Sequence, residues 1–130
     1  MNTVHSKVIG AGVFFLFIIL SGFWLSQSGK PLNTIILTIH KLIAVAAVAF
    51  LAVTVYRTNQ VAPLSTTELA ATAVTGLLFL GTIVTGGLLS IGKPMPAAVL
   101  TMHQITPYLT VLSSTWLLWR VLPAQESVIP

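Results

Sequence analysis

The spacing of charged residues along this sequence limits what it can fold into. Three long stretches carry no charge at all: Val8–Gly29, Leu69–Gly92 and Pro94–Trp119. A fourth stretch, between Lys30 and Arg57, is interrupted only by Lys41. Because a helix needs about 20 apolar residues to cross a bilayer, each stretch can hold one span. The spacing therefore predicts an all-α integral membrane protein, a four-helix bundle embedded in lipid.

Composition supports a membrane location and excludes several other classes of protein. Only 6% of the residues are charged, whereas soluble domains average about 25%. The absence of cysteine excludes disulfides, iron–sulfur clusters and covalent haem attachment. The net charge of +4 is interpreted as a topology signal, so no nucleic-acid partner is expected.

The basic residues that flank the predicted spans give the expected orientation. Lys7, Arg57 and Arg120 lie on the side shared by the two termini, and Lys30 and Lys93 lie on the other side. By the positive-inside rule this distribution favours cytoplasmic termini. The expected location is a prokaryotic cytoplasmic membrane.

The second half of the sequence repeats the first. GKPLNTIILTIHKL, from Gly29, aligns without a gap with GKPMPAAVLTMHQI, from Gly92, and eight of the 29 pairs up to Arg57 and Arg120 are identical. With one gap upstream, LSGFWLS (20–26) matches VTGGLLS (84–90). We expect a single transmembrane domain, 1–130, built from two helical hairpins: repeat 1 at about 8–57 and repeat 2 at about 67–122.

Local signals divide each repeat into two helices. The Gly-Lys-Pro sequences at 29–31 and 92–94 suit a helix end followed by a helix start, and we call these segments the GKP loops. Between the hairpins, Pro63 interrupts a polar linker, and Ser65 with Glu68 forms a capping-box pattern. The predicted spans are Val8–Leu25, Asn33–Arg57, Thr67–Ser90 and Ala97–Leu122.

The repeat predicts how the four helices are arranged. Each hairpin crosses the membrane twice, so both copies begin on the same side. A pseudo-two-fold axis along the membrane normal relates such copies, which makes the second and fourth helices diagonal partners. Equivalent residues on these helices then lie at the same depth and face each other across the axis.

His40 and His103 are such an equivalent pair. Each lies about seven residues into its helix, roughly 10 Å along it at 1.5 Å per residue. Ionisable residues at this depth are costly and usually face the bundle interior. We interpret the two imidazoles as axial ligands of a metal macrocycle: a non-covalent haem b, or another tetrapyrrole. Two imidazoles alone make a poor zinc site, because zinc usually takes at least three protein ligands.

Six further residues are candidates for contact with this cofactor. Ala44 and Ala47 follow His40 at helical spacing and leave room beside it, and Gly86 permits close backbone approach. Pro107 lies four residues after His103 and cannot donate to its carbonyl, which favours a kink. Lys30 and Lys93 lie where the haem propionates are expected to leave the membrane.

These residues resemble the heme A synthase family, whose two four-helix halves each carry histidines in their second and fourth helices. The chain looks like one such half. Ile39-His40-Lys41 is similar to the family's histidine and following basic residue, His103 to the fourth-helix histidine, and Val84–Leu88 to a glycine-containing helix end. The resemblance implies a haem-holding scaffold. The sequence departs from the family in lacking a cysteine pair and the loop glutamate, so oxidation of the haem methyl group is not expected.

The function expected from these features is electron transfer by a small b-type cytochrome. With both axial positions filled, no open site remains for substrate, so electron transfer is favoured over a stand-alone enzyme. The expected partners are a quinone or a redox protein, and the chain is interpreted as a homodimer or a subunit of a larger complex. Three alternatives stay open: a structural subunit whose histidines only pack, a pigment-binding subunit, and a proton relay.

Overall fold

The computed structural model describes residues 3–123, with side chains from residue 5, as four α-helices joined by short connections. The helices are α1 (Thr3–Gln27), α2 (Thr34–Val61), α3 (Thr66–Leu89) and α4 (Ala97–Val121). No strand occurs within these residues. The predicted all-α class is therefore confirmed.

Three of the four helices are long and apolar enough to cross a membrane. They are α1 from His5 onward, α2 and α3. This finding supports an integral membrane protein in contact with lipid. Among the described helices, α4 has the length, at 25 residues, but lacks the same apolar character, because it carries eight uncharged polar side chains. These are Thr101, His103, Gln104, Thr106, Thr110, Ser113, Ser114 and Thr115.

The helix ends follow the local signals in the sequence. Gly29 and Gly92, in the two GKP loops, have φ values of +72° and +79°, which is left-handed backbone that favours glycine. The Asn33 side chain caps α2 by accepting hydrogen bonds from two backbone N–H groups of the first turn. Ser65 and Glu68 form the predicted capping box at the start of α3.

Two helices extend beyond their predicted bounds. The first begins at Thr3 instead of Val8, and the second continues past Arg57 to Val61. Both extensions consist largely of polar residues. Helical hydrogen bonding continues through them because it does not require apolar side chains, and α2 ends only shortly before Pro63, which cannot continue a helix. Charge spacing thus located the apolar spans but not the true helix ends.

The helices pack mainly within each hairpin, α1 against α2 and α3 against α4. Contacts between the hairpins are few and join α1 to α4, α2 to α3, and α2 to α4 across the diagonal. The larger apolar core cluster draws on all four helices: Ala11, Leu51, Phe79, Leu118 and Leu122. Four of these residues lie in the half of the bundle away from the GKP loops, and Phe79 lies near the middle of α3. The hairpins are therefore joined chiefly in that half, and the histidines lie outside it.

Candidate functional site

His40 projects from α2 onto the neighbouring helix of its own hairpin and is half-buried. Its Nδ1 lies 2.9 Å from Ser21 Oγ on α1, and the Ser21 hydroxyl also lies within hydrogen-bond distance of the Phe17 and Ile18 carbonyl oxygens. The edge of the ring faces Gly22, where an added Cβ would lie 3.2 Å from His40 Cε1. The absence of a side chain at position 22 thus makes room for the imidazole.

His103 makes equivalent contacts with a hydroxyl and a glycine in the second hairpin, and one further contact with a carbonyl. Its Nδ1 lies 3.1 Å from Thr85 Oγ1 and 3.1 Å from the carbonyl oxygen of Thr82. The ring edge faces Gly86 more closely than in the first hairpin, because a Cβ there would lie only 2.7 Å from His103 Cε1. Any side chain at position 86 would require the imidazole to move.

The hydrogen bonds determine the tautomer of the His103 ring. A carbonyl oxygen accepts only, so the His103 ring atom that faces Thr82 carries the proton as Nδ1–H. The other nitrogen, Nε2, then keeps its lone pair. In each hairpin a hydroxyl of the preceding helix lies beside Nδ1, so Nε2 is the ring nitrogen placed to bind a metal.

An apolar cavity of about 30 Å³ lies next to the histidines, one helical turn deeper in the bundle, and all four helices line it. Most of its wall consists of residues that the repeat makes equivalent, either between α1 and α3 or between α2 and α4. These pairs are Phe15 and Phe79, Ile18 and Thr82, Ile19 and Ile83, and Ala44 and Pro107. The rings of Phe15 and Phe79 stack with their centroids 6.2 Å apart.

The predicted site residues fall into two groups in the structure. Ala44, Pro107 and Gly86 lie beside the histidines or in the cavity wall, and Ala47 is buried one turn further along α2. Pro107 lies within a continuous α4. Lys30 and Lys93 are exposed in the GKP loops. Contact of these residues with a cofactor stays a prediction.

Sequence reasoning missed the hydroxyl partners of the two imidazoles. Ser21 aligns with Thr85, and Gly22 aligns with Gly86, in the matched segments LSGFWLS and VTGGLLS. The alignment of the two repeats therefore already contained the equivalence of these hydroxyl residues and glycines. It was not interpreted as a contact with the histidines, because the rotation of α1 and α3 toward them is a property of tertiary packing.

Lys41 has a partner that the sequence did not reveal. Its Nζ donates a hydrogen bond to Ser90 Oγ at 2.9 Å, across the boundary between the hairpins. Ser90 is the C-cap residue of α3, where the negative end of the helix dipole favours a cation. The contact joins α2 to α3 near the GKP loops, where apolar packing between hairpins is sparse.

Within the described residues, no three His, Cys, Asp or Glu side chains lie close enough together to hold a metal ion. A zinc-type site would need at least three such ligands. Comparisons with protein-family models, curated proteins and solved structures give no match. The case for function therefore rests on the paired histidines and their surroundings.

Proposed function

We propose that this chain is a membrane b-type cytochrome that binds one haem non-covalently between His40 and His103. The observation that carries the proposal is the matched presentation of the two imidazoles. In each hairpin, Nδ1 lies within hydrogen-bond distance of a hydroxyl of the preceding helix, and in the second hairpin it also donates to the Thr82 carbonyl, so Nε2 is left for a metal. Histidines that bind metals characteristically donate their other N–H to such a partner, which fixes the ring and raises its basicity.

The equivalence of the contacts also supports the proposed pseudo-two-fold axis along the membrane normal. Ser21 matches Thr85, and Gly22 matches Gly86, and four pairs of equivalent residues line the small cavity next to the rings. A flat, nearly symmetric ligand lying on that axis would meet the same side chains from both hairpins. One haem per chain is the simplest occupant of such a site.

The donor groups fit a haem, whereas the space between the hairpins is smaller than a haem requires. The cavity next to the rings measures about 30 Å³, and ligand pockets of this class occupy about 300–1,000 Å³. Contacts between the hairpins are few, and the core cluster that joins all four helices lies mostly away from the histidines, so separation at the histidine end leaves most of that cluster in place. We therefore expect the hairpins to separate when haem binds, with Ala44 and Pro107 beside the ligand and Lys30 and Lys93 near its propionates.

The proposed role is electron transfer between a membrane quinol and a redox protein. A haem supplies a reversible one-electron change at iron, and two histidine ligands leave no open position for substrate. This role does not require the chain to be a stand-alone enzyme. The resemblance to one half of a heme A synthase supports the haem scaffold. The same proposal includes a prokaryotic cytoplasmic membrane, cytoplasmic termini, a fourth spanning helix, and assembly as a homodimer or larger complex.

The same hydrogen bonds favour a second candidate function, that of a structural subunit whose histidines only join helices. Both imidazole contacts lie within a hairpin, α1 to α2 and α3 to α4, so each helps to hold its hairpin together. Hydrogen bonds of this kind stabilise membrane helix pairs by about 0.6 kcal/mol on average. A protein with this function binds no tetrapyrrole.

Absorption spectroscopy of the purified protein separates the two candidates. We expect wild type, as isolated or after addition of haemin, to show the sharp reduced α band of a low-spin haem. His40→Ala and His103→Ala should each abolish the band or convert it to a high-spin spectrum, whereas His5→Ala, at the exposed end of α1, should leave it unchanged. A wild-type protein that stays colourless with added haemin would favour the structural candidate.

A further inference from the structure

Two phenylalanine rings stack between the hairpins, one contributed by each. Phe15 of α1 and Phe79 of α3 have ring centroids 6.2 Å apart and an angle of 17° between the ring planes. The repeat makes the two residues equivalent, and we call them the phenylalanine pair. The pair joins two helices of different hairpins that otherwise make few contacts with each other.

The phenylalanine pair is attached to the core that all four helices share. Phe79 is buried and belongs to the core cluster with Leu51 and Leu118, and Phe15 packs against the same cluster. Stacked aromatic side chains add stability beyond the apolar area that they bury. We therefore expect the pair to stay together when the hairpins separate at the histidine end, as the proposed haem site requires.

The phenylalanine pair lies at the deep end of the cavity next to the histidines. Among the residues of α1 and α3 that line this cavity, Phe15 and Phe79 lie furthest from the GKP loops. Each comes six residues before the hydroxyl partner of a histidine, Ser21 or Thr85. Six residues of helix rise about 9 Å at 1.5 Å per residue. The pair therefore lies roughly 9 Å deeper in the bundle than the hydroxyls that contact the imidazoles.

The two ends of the region around the histidines differ in chemistry, as the two edges of a haem do. The phenylalanine pair presents aromatic carbon at the deep end. At the other end, Lys30 and Lys93 are exposed and positively charged, and the carboxylate of Glu68 lies far from them, in the first turn of α3. A haem carries its propionates on one edge and a vinyl group on the opposite edge. This distribution of charge favours propionates toward the GKP loops and the vinyl edge toward the phenylalanine pair.

We propose that the phenylalanine pair is the floor of the haem site and positions the apolar edge of the macrocycle. This inference rests on the proposed haem site between His40 and His103, and it gives a role to two residues that do not bind iron. A macrocycle centred between the imidazoles extends toward both ends of the bundle, and the pair limits how deep it can lie. Ala44 and Pro107 line the space between the histidines and this floor.

The chain provides a matched control on α1. Phe14 is adjacent to Phe15, but its ring pairs with Phe50 of α2, with the centroids 5.5 Å apart, and neither of these two residues lines the cavity. Phe14→Leu therefore removes an aromatic pair within one hairpin, whereas Phe15→Leu removes the pair between the hairpins. Phe79→Leu tests the other ring. Because Phe79 is buried in the core and Phe15 is only half-buried, Phe15→Leu is the variant that disturbs folding less.

The measurement is titration of the apoprotein in mild detergent with haemin and with haematohaemin, in which hydroxyethyl groups replace the vinyl groups. Wild type and Phe14→Leu should bind haemin about tenfold more tightly than haematohaemin, because an aromatic floor offers the hydroxyls no hydrogen-bond partner. Phe15→Leu and Phe79→Leu should each bind haemin about fivefold more weakly than wild type. Both should keep the low-spin spectrum, because the two histidine ligands are unchanged.

Nuclear Overhauser effects give a readout that a purely structural role of the pair would not produce. In the reduced, low-spin wild-type protein, the haem vinyl protons should show these effects to phenylalanine ring protons. Combining Phe15→Leu with Phe79→Leu should remove them, whereas Phe14→Leu should keep them.

Two results would overturn the proposal and leave the haem site in place. Equal haemin affinities for Phe14→Leu, Phe15→Leu and Phe79→Leu would show that the pair does not contact the macrocycle. Equal affinities of wild type for haemin and haematohaemin would show that the deep end of the site does not hold an apolar edge. A wild-type protein that forms no low-spin complex with either compound would instead overturn the proposed function, and this inference with it.

Discussion

The glycine facing each imidazole is predicted to control the position of its ring. A Cβ at position 86 would lie 2.7 Å from His103 Cε1, and one at position 22 would lie 3.2 Å from His40 Cε1. We therefore expect Gly86→Ala to displace its histidine more than Gly22→Ala does. Overpacking of this kind costs about 1–3 kcal/mol. In a haemin titration, the affinity should fall about tenfold for Gly86→Ala and by a smaller factor for Gly22→Ala.

Gly87 provides the control for this series. It is adjacent to Gly86 in α3, but an added Cβ there meets no atom within 4 Å. Gly87→Ala should leave haemin affinity unchanged and raise helix propensity slightly. The opposite order, with Gly87→Ala the more damaging change, would contradict the ring placement described for His103.

The hydroxyl partner of His103 should contribute to both stability and ligand affinity. Thr85→Val keeps the shape of the side chain and removes the hydrogen bond to Nδ1, while the Thr82 carbonyl remains 3.1 Å away. We expect a loss of about 0.6 kcal/mol in the free energy of unfolding. Haemin affinity should fall by about tenfold, because the hydrogen bond between Thr85 and Nδ1 orients the His103 ring. Both quantities can be measured on the same detergent-purified protein.

Thr72→Val is the matched change in the same helix. The Thr72 hydroxyl donates to the Glu68 carbonyl one turn earlier, so its removal leaves both histidines untouched. Identical haemin affinities for Thr85→Val and Thr72→Val would contradict an orienting role for Thr85. A loss of stability without a loss of affinity in Thr85→Val would favour the structural candidate function.

At the residue level, the sequence located the histidines but not the groups that hold them. Their depth followed from counting residues after the GKP loops, and their pairing followed from the alignment of the two repeats. The contacts with Ser21 and Thr85 depend on how α1 and α3 rotate about their own axes. All-round apolar helices carry almost no amphipathic signal for that rotation, so the alignment contained these residues without showing their role.

At the level of elements, the contact from Lys41 to Ser90 is predicted to help hold the hairpins together. Its Nζ donates to Ser90 Oγ at 2.9 Å, where other contacts between hairpins are few. Because the lysine is exposed, we expect Lys41→Met to lower the free energy of unfolding by only about 0.5 kcal/mol. Reversible unfolding in a denaturing detergent measures this quantity.

The repeat again supplies a control, because Gln104 is the equivalent of Lys41 on α4. Gln104→Met should change stability less than Lys41→Met. Combining Lys41→Met with Ser90→Ala should add little to the effect of either change alone, because both remove the same contact. Fully additive losses would show that Lys41 stabilises the fold through a different contact.

Helix ends were predictable wherever a residue type has one clear structural use. The glycines of the GKP loops adopt positive φ, and Ser65 with Glu68 forms the capping box, as their positions indicated. The extension of α2 from Arg57 to Val61 was not predictable from charge spacing. Polar residues there stay helical because the backbone hydrogen bonds of a helix form regardless of side-chain polarity. The apolar span is therefore shorter than the helix that contains it.

For the whole molecule, the main prediction is that all four helices cross the membrane. Helices α1, α2 and α3 are long and apolar enough to do so, and α4 is of similar length but more polar. In α4, Thr110 and Ser114 are buried against protein, and the exposed Thr101 and Thr115 donate to carbonyls of their own helix, which lowers the cost of placing α4 in lipid. The sequence contains no cysteine, so single introduced cysteines report membrane sidedness without background.

Labelling of single-cysteine variants in intact cells with a membrane-impermeant maleimide tests this arrangement. Lys30→Cys and Lys93→Cys, in the two GKP loops, should be labelled from outside. His5→Cys, Gln60→Cys and Arg120→Cys should be labelled only after the membrane is opened, because both termini and the α2–α3 linker are predicted to be cytoplasmic. If position 120 is labelled together with position 93, α4 does not cross the membrane. The two histidines would then lie at different depths, and a haem held between them would no longer be possible.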